Sequence, residues 1–182
     1  MNQDLNRDNY KLVMDEFRDL IETSRDGNQK TDVIEAINFL VKKNLEEVFP
    51  LLKDIFFHPL TNHEIRKEIG SIIASTKNNQ VYNLLISHLI LRNFNDLSSV
   101  VATLGDYKNP DIYEILVREY PTCNFETQLE IITAISKIQS VKSIEFFSQV
   151  FNGEIRSANF SNEQMQQLKT MAGEALQKVI DI

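Results

Sequence analysis

Three histidines and one cysteine are the side chains best suited to chemistry in this chain of 182 residues. His58 and His63 are five residues apart, a spacing that does not place two imidazoles on one helix face. Pro59 follows His58 directly, so we expect the pair on either side of a loop, as surface or capping residues. A closed zinc site needs about four ligands, and Glu64 is the nearest carboxylate. The sequence therefore predicts no metal site.

Nucleophilic catalysis needs a serine or cysteine whose base is held in place by a third group. Cys123 lies in the segment PTCNF without a histidine nearby in the sequence, so we expect a half-buried loop thiol. His88 lies within an apolar helical pattern, which favours packing. The chain contains no glycine-rich phosphate loop, and its carboxylates are spread along helices rather than paired in apolar surroundings. These features predict a protein that is not an enzyme and needs no cofactor.

The net charge of −7 argues against nucleic acid or an anionic membrane as the main partner, because both attract surplus Lys and Arg. The polar N-terminus lacks the apolar core of a signal peptide, and no apolar run approaches the ~18 residues that span a membrane. A cytoplasmic location is the expectation. The length suits a single domain, residues 1–182, and the one cysteine allows no intrachain disulfide.

The elements that would position any site begin with the stretch from Glu64 to Leu89. Two apolar runs with helical period lie on either side of a polar break there. Their stripes are formed by Ile65, Ile69, Ile72 and Ile73, then by Val81, Leu84, Leu85 and Leu89. Such a pair of helices cannot cover its own apolar stripe, so it needs neighbours of the same shape.

Similar stretches begin at Thr31, Asn95 and Glu126. Matching one apolar position in each of them gives successive spacings of 33, 31 and 31 (69−36, 100−69, 131−100), from Ala36, Ile69, Val100 and Ile131. Apolar pairs then also align, at Leu51/Leu52, Leu84/Leu85, Ile115/Leu116 and Phe146/Phe147. Repeats of this length are typical of solenoids built from helical pairs. We predict an all-α chain, an α-α superhelix of about four helical pairs with an N-terminal capping helix (8–24) and a C-terminal one (161–180).

Turn and capping residues predict the helix boundaries. Thr61 with Glu64, and Ser161 with Gln164, fit the capping-box pattern. Asn109 followed by proline favours a helix start. Pro50 falls near the expected start of the second helix of the first repeat, where proline is tolerated. Pro59 and Pro121 are expected in the breaks between units.

Several of these segments resemble a known family. The segment FPLLKDIF after Val48, followed by IRKEIGSIIAS after a proline-containing break, resembles the HEAT-like repeat of the phycobilisome-lyase type. Ile65-Arg66 takes the place of the family's Val/Ile-Arg pair, and ATLGDYKNPDIYEIL from Ala102 resembles its link between units. The resemblance covers residues 31–151 and implies a HEAT-like superhelix. Arg66 differs from the residues aligned with it in the other units, Val33, Leu97 and Gln128.

The first helices of the units place a polar column away from the apolar stripe. If the resemblance holds, these helices line the concave side, and the column forms a mostly acidic ridge. The candidate partner-binding residues are Glu35, Glu68, Ser99 and Glu130, then Asn38, Ser71 and Thr133 one turn on, and Lys137 two turns on. A solvated face is the competing interpretation for any single residue.

Three functions compete. The first is a non-enzymatic protein-binding module, most concretely a bacterial immunity protein that neutralises a basic toxin, in the manner of toxin-antitoxin pairs, through an acidic concave face. The second is a structural or adaptor subunit of a larger assembly. The third is an enzyme or chaperone-like maturation factor with a polar cluster around Cys123 or His88. The first is preferred.

Overall fold

The computed structural model describes residues 30–138, 140–155 and 160–180. All regular structure among these residues is helical, which confirms the all-α prediction, and no strand occurs among them. The α-helices are α1 Lys30–Phe57, α2 His63–Ser75, α3 Asn79–Leu91, α4 Leu97–Tyr107, α5 Tyr113–Glu119, α6 Phe125–Ile138, α7 Ser143–Asn152 and α8 Asn162–Ile180. Two short 3-10 turns, Pro110–Ile112 and Tyr120–Thr122, precede and follow α5. The predicted helix over 8–24 lies outside the described residues.

The chain divides into two compact units, Met1–Ile69 and Gly70–Ile182, with the boundary inside α2. In the first unit, α1 is one continuous helix of 28 residues with Pro50 in its interior. The prediction of a helical pair beginning at Thr31 was therefore wrong. A proline inside a helix costs about 3 kcal/mol or more. Burial of apolar side chains on both sides of Pro50 offsets that cost, among them Val48, Leu51, Leu52, Ile55 and Phe56.

A buried arginine completes the end of α1. Arg66 is only 4% exposed, and its Nε donates to the carbonyl of Phe56 at 2.8 Å while Nη2 donates to that of His58 at 2.9 Å. These carbonyls lie at or just beyond the helix end, where intrahelical partners are missing and positive charge is favourable. The guanidinium thus ties the first turn of α2 to the end of α1.

The capping-box prediction at the start of α2 was wrong in its details. Thr61 is buried, and its hydroxyl donates to the carbonyl of Ile55 at 2.6 Å instead of capping α2. Asn62 takes the capping role, since its Oδ1 accepts from the N–H of Glu64 at 2.8 Å. The second predicted box is confirmed: the N–H of Ser161 donates to Oε1 of Gln164, and the N–H of Gln164 donates to Oγ of Ser161.

In the second unit the predicted successions of two helices occur as α4 with α5 and as α6 with α7, and the asparagine before Pro110 caps a helical turn as expected. Positions that the repeat alignment equates are buried alike. Val100 and Ile131, and likewise Leu104 and Ile135, are fully buried. So are the second members of the apolar pairs, Leu85, Leu116 and Phe147. The repeat spacing therefore identifies equivalent core positions within this unit.

Helices α4 and α6 form the most extensive helix packing of this unit. Gly105 of α4 faces Ala134 of α6 so closely that a Cβ on Gly105 would lie 2.8 Å from both Cα and Cβ of that alanine. Side chains at a helix crossing normally hold the axes about 8–10 Å apart, and glycine permits a closer approach. Gly105 is thus a packing position rather than a turn.

Polar contacts between successive helical pairs recur at a nearly constant sequence separation. Lys77 Nζ donates to the carbonyl of Tyr107 at 2.7 Å, Arg92 Nη1 to that of Thr122 at 2.8 Å, and the Tyr113 hydroxyl to that of Lys142 at 2.8 Å. Their separations are 30, 30 and 29 residues. Lys137 and Asp106, 31 residues apart, form an ion pair at 2.6 Å. These four contacts, all within the second compact unit, therefore join residues that lie about one repeat apart.

Gln128, which the repeat alignment matches with Arg66, has a similar structural role. It is fully buried in α6, and its Nε2 donates to the carbonyls of Tyr120 at 2.8 Å and Cys123 at 3.3 Å. Like Arg66, it satisfies carbonyls at the end of the preceding helical segment from the first turns of the next helix. The two aligned positions share a role although their side chains differ in charge.

Tyr82 carries a buried hydroxyl that has no hydrogen-bond partner among the described residues. Its repeat equivalent, Tyr113, donates to a backbone carbonyl, and the neighbouring Tyr107 donates to the carbonyl of Asn78 at 3.1 Å. Burial raises the pKa of Tyr82, and the negative charge of Asp111 raises it further. A buried polar group without a partner costs about 1–3 kcal/mol.

We therefore expect Tyr82→Phe to leave the free energy of unfolding unchanged or to raise it by about 1 kcal/mol, because the ring is kept and an unsatisfied group is removed. Tyr107→Phe is the matched comparison and should lower stability by about 1 kcal/mol, since it deletes a made hydrogen bond. Urea unfolding followed by circular dichroism measures both. A larger loss for Tyr82→Phe than for Tyr107→Phe would contradict the assignment.

Candidate protein-binding surfaces

The predicted acidic column is interrupted at Ser99. This residue is fully buried, so the expectation that it lies away from the core was wrong. Asp96 caps α4, and its carboxylate accepts from both the N–H of Ser99 at 3.1 Å and the Ser99 hydroxyl at 2.7 Å. A capping carboxylate satisfies donors in the first turn of its helix. That local bonding holds Ser99 inward and removes it from any ridge.

The remaining column residues lie at or near the surface. In the first unit Glu35 is exposed, while Asn38 and Glu68 are half-buried. In the second unit Ser71 is exposed, and Glu130 and Thr133 are half-buried. The hydroxyl of Thr133 donates to the carbonyl of Leu129 one turn earlier, at 3.0 Å.

Thr133 and Lys137 are brought together in a groove between α6 and α8, of about 250 Å³. Its apolar lining is Ile132, Met171 and Ala175, and its polar lining is Thr133, Ser136, Lys137, Glu174 and Lys178. Lys137 is paired with Asp106 across to α4. With two lysines and one glutamate, the groove itself is not acidic. We call it the first-helix groove.

A larger groove, of about 390 Å³, lies between α5 and α7 and was missed by the sequence reasoning. We call it the second-helix groove. Its lining is Tyr113, Glu114, Val117, Lys142, Glu145, Phe146 and Gln149. Lys142 Nζ reaches Glu114 Oε1 at 3.1 Å, and Glu145 Oε1 accepts from Gln149 Nε2 at 3.3 Å. Burial raises the pKa of Tyr113, and the negative charges of Glu114 and Glu145 raise it further.

A signal for this groove was present in the alignment. Glu114 and Glu145 each directly precede the aligned apolar pair, one repeat apart. In the structure these two carboxylates, 31 residues apart (145−114), line one groove.

Cys123 is more buried than expected, with 8% of its surface exposed. It follows the 3-10 turn Tyr120–Thr122, and its N–H donates to the carbonyl of Tyr120 at 3.2 Å. Burial raises the pKa of the Cys123 thiol; the nearby Arg92 opposes this, and Glu119 adds to it. Since the thiolate is the reactive form, this environment suppresses nucleophilic chemistry.

We therefore expect native Cys123 to react with iodoacetamide at pH 8 at least ~10-fold more slowly than the same thiol in 6 M urea, where burial is lost and the pKa returns to its ordinary value. Mass spectrometry of the alkylated fraction against time gives both rates. Equal alkylation rates in the native and unfolded protein would show an accessible thiolate and would support the alternative of an enzyme that uses this thiol.

The histidines take local roles. Nδ1 of His58 accepts from the N–H of Leu60 at 3.3 Å, within the loop before α2. His88 is half-exposed, its Nδ1 lies 2.7 Å from Asn93 Oδ1, and its ring packs against Phe94. Within the described residues, no group of three or more His, Cys, Asp or Glu side chains is arranged to hold a metal ion.

Helix α3 exposes apolar side chains near its C-terminal end. Leu91 is 68% exposed, and Leu84 and Ile90 are each about two-fifths exposed. Leu84 and Leu91 are seven residues apart and therefore share a helix face. None of the described helices is both long and apolar enough to cross a bilayer.

Comparison with protein-family models, with curated proteins and with solved structures finds no match to this chain.

Proposed function

We propose that this chain is a non-enzymatic protein-binding module. The observation that carries the proposal is the series of polar contacts at nearly constant separations, from Lys77 with Tyr107 to Lys137 with Asp106. Contacts in a constant register are what stacked, equivalent helical pairs produce. Stacking of this kind leaves grooves between equivalent helices, and arrays of helical pairs use such extended surfaces to bind other proteins.

The same contacts support, as a proposal, an α-α superhelix of the HEAT-like type. The shared capping role of Arg66 and Gln128 adds to it, because both satisfy carbonyls at the end of the preceding segment from an aligned position. The low sequence identity between the repeats then has an explanation, because a side chain without charge can make the same capping bonds as a charged one.

The partner we propose is a basic protein, because the chain carries a net charge of −7 and places carboxylates such as Glu35 at its surface. The most concrete version is a bacterial immunity protein in the cytoplasm that neutralises a basic toxin by covering its active site. The carboxylates that we propose for contact with the basic partner are Glu35 and Glu68 in the first compact unit and Glu130 in the second, with Ser99 removed from the set.

The test is co-expression of this chain with the basic proteins encoded beside its gene, followed by size-exclusion chromatography. A stable complex whose dissociation constant rises steeply with salt supports the proposal, since exposed charges are screened. Reversing Glu35, Glu68 and Glu130 to lysine should weaken it by about tenfold or more. The control reverses three exposed glutamates outside this set, Glu46, Glu163 and Glu174, with the same change in net charge. Equal weakening by both triple variants would refute the acidic face, and no complex at low salt would refute the immunity function.

The exposed apolar face of α3 favours a second candidate, an adaptor subunit within a larger assembly. It predicts a species larger than 21.1 kDa by light scattering, or a partner whose binding is insensitive to salt. Leu84→Asn with Leu91→Asn should abolish that association. A monomer at all accessible concentrations, together with salt-sensitive partner binding, would rule against this candidate.

A further inference from the structure

We propose that the second-helix groove binds an arginine side chain of a basic protein partner; this inference rests on the proposed protein-binding function and adds a contact surface made of other residues than Glu35, Glu68 and Glu130. The groove between α5 and α7 is a half-open depression with a volume of about 390 Å³. It combines carboxylates, a side-chain amide and apolar surface in one concavity. That combination matches the chemistry of a guanidinium group on an aliphatic stem.

The carboxylates supply the polar half of the match. Glu145 is exposed, and its Oε1 accepts the Gln149 amide at 3.3 Å, a long bond. A carboxylate has about four acceptor positions, so Glu145 retains capacity for the parallel N–H donors of a guanidinium. The two oxygens of a carboxylate suit the planar fork of arginine better than the single point charge of lysine.

The apolar lining supplies the other half. Half-buried Val117 of α5 supplies most of this lining, since the other apolar lining residue, Phe146 of α7, is only 2% exposed. Arginine buries its methylene groups against apolar surface while its charged head stays at the polar rim. The groove is therefore amphipathic in the same sense as the side chain that we propose for it.

The chain already places one of its own cations in the groove. Lys142 Nζ lies 3.1 Å from Glu114 Oε1, and both side chains are about 70% exposed. An ion pair this exposed contributes little stability, so the Lys142 side chain can move away from Glu114 when a cation of the partner binds. Lys142 acts as an internal competitor: it satisfies Glu114 in the free protein and opposes the entry of a second positive charge.

The competitor role gives a test in which two substitutions in one groove act in opposite directions. The probe is a fluorescein-labelled nonaarginine peptide, with binding measured by fluorescence anisotropy in 50 mM salt. Glu145→Gln should weaken binding by about tenfold, because it removes the anchoring charge. Lys142→Gln should strengthen binding by about threefold, because it frees Glu114 and removes a like charge. Nonalysine should bind at least about fivefold more weakly than nonaarginine.

The matched control is Glu174→Gln in the first-helix groove, which changes the net charge by the same amount as Glu145→Gln. If the two variants weaken nonaarginine equally, binding follows net charge alone and the proposal is overturned. Equal affinity for nonalysine and nonaarginine would overturn it as well. The same variants are then measured with the basic partner. A partner that binds tightly but ignores Glu145 and Lys142 overturns the groove assignment and leaves the protein-binding function standing.

Discussion

Gly105→Ala is expected to lower the free energy of unfolding by about 2 kcal/mol, because it overpacks the crossing of α4 and α6. The added methyl would lie 2.8 Å from both Cα and Cβ of Ala134, a backbone position in α6 that cannot yield without moving the helix. Overpacking of this kind costs about 1–3 kcal/mol. It more than cancels the gain of up to about 1 kcal/mol that alanine has over glycine inside a helix. Urea unfolding followed by circular dichroism measures the change.

The chain offers a matched control for this substitution. Gly173 lies inside α8, and a Cβ there would meet only the ring of Phe151 at 3.1 Å, a half-exposed side chain that can rotate. Gly173→Ala should therefore leave stability unchanged or raise it by up to about 1 kcal/mol. Adding Ala134→Gly to Gly105→Ala should recover part of the loss, as positive coupling in a double-mutant cycle. A Gly105→Ala protein as stable as Gly173→Ala would show that α4 and α6 do not approach this closely.

Gln128→Glu should destabilise the protein by about 4 kcal/mol at pH 7 and much less at pH 4. Gln128 is fully buried and donates to two carbonyls, so an ionised carboxylate in its place would face acceptors where the amide faced them as a donor. Burial raises the pKa of such a carboxyl by roughly 3 units, each worth about 1.4 kcal/mol. The folded-state pKa then exceeds the unfolded value of about 4.3. The variant therefore keeps its stability at pH values below the unfolded pKa and loses it as the pH rises through the folded-state pKa.

Two further variants separate charge from the loss of hydrogen bonds. Gln128→Met should cost about 1–3 kcal/mol at either pH, because it removes the donor without adding a titrating group. Gln166→Glu, on the exposed face of α8, should change stability by less than about 0.5 kcal/mol at both pH values. If the deficit of Gln128→Glu relative to the natural protein is the same at pH 4 and pH 7, the side chain at this position is solvated and the capping role is wrong.

Much of the second unit was predictable because its helices are marked by the apolar pattern. The break near Lys108 and Asn109, the succession of α4 and α5, and the equivalence of Val100 with Ile131 all follow from period and spacing. In a helix the period of 3.6 fixes which side chains share a face. The repeat spacing then relates the face of one helix to that of the next equivalent helix.

The predictions that were wrong share a physical cause, which is a tertiary contact that outweighs a local sequence preference. Pro50 favours a helix start by its own geometry, but α1 continues past it because the residues around it are buried. Thr61 fits a capping box, yet a bond to the end of α1 claims its hydroxyl. Ser99 occupies a polar position of its helix, and the bond to Asp96 turns it inward. Each outcome depends on a partner outside the repeat pattern, which spacing alone does not identify.

The candidate surfaces were harder to predict than the helices. A groove depends on how far apart two helices lie, and that distance depends on pairs such as Gly105 with Ala134 rather than on polarity. Periodicity places Thr133 and Lys137 on one helix face, but not opposite α8. Glu114 and Glu145 can be assigned to one groove only when the positions of α5 and α7 are known.

The capping of helix ends by Arg66 and Gln128 also determines where the chain can be lengthened. An insertion after Tyr120 or before Cys123 would carry the carbonyls away from the buried Gln128 amide, so length there is tied to a single side chain. The turn before α7 is constrained in the same way, although Val141 at its tip is 81% exposed, because the N–H of Ser143 donates to the carbonyl of Ser140 and the Tyr113 hydroxyl donates to that of Lys142. Tags, fluorescent labels or new recognition loops therefore belong outside both bonded turns, and the segment from Tyr120 to Cys123 must keep its length.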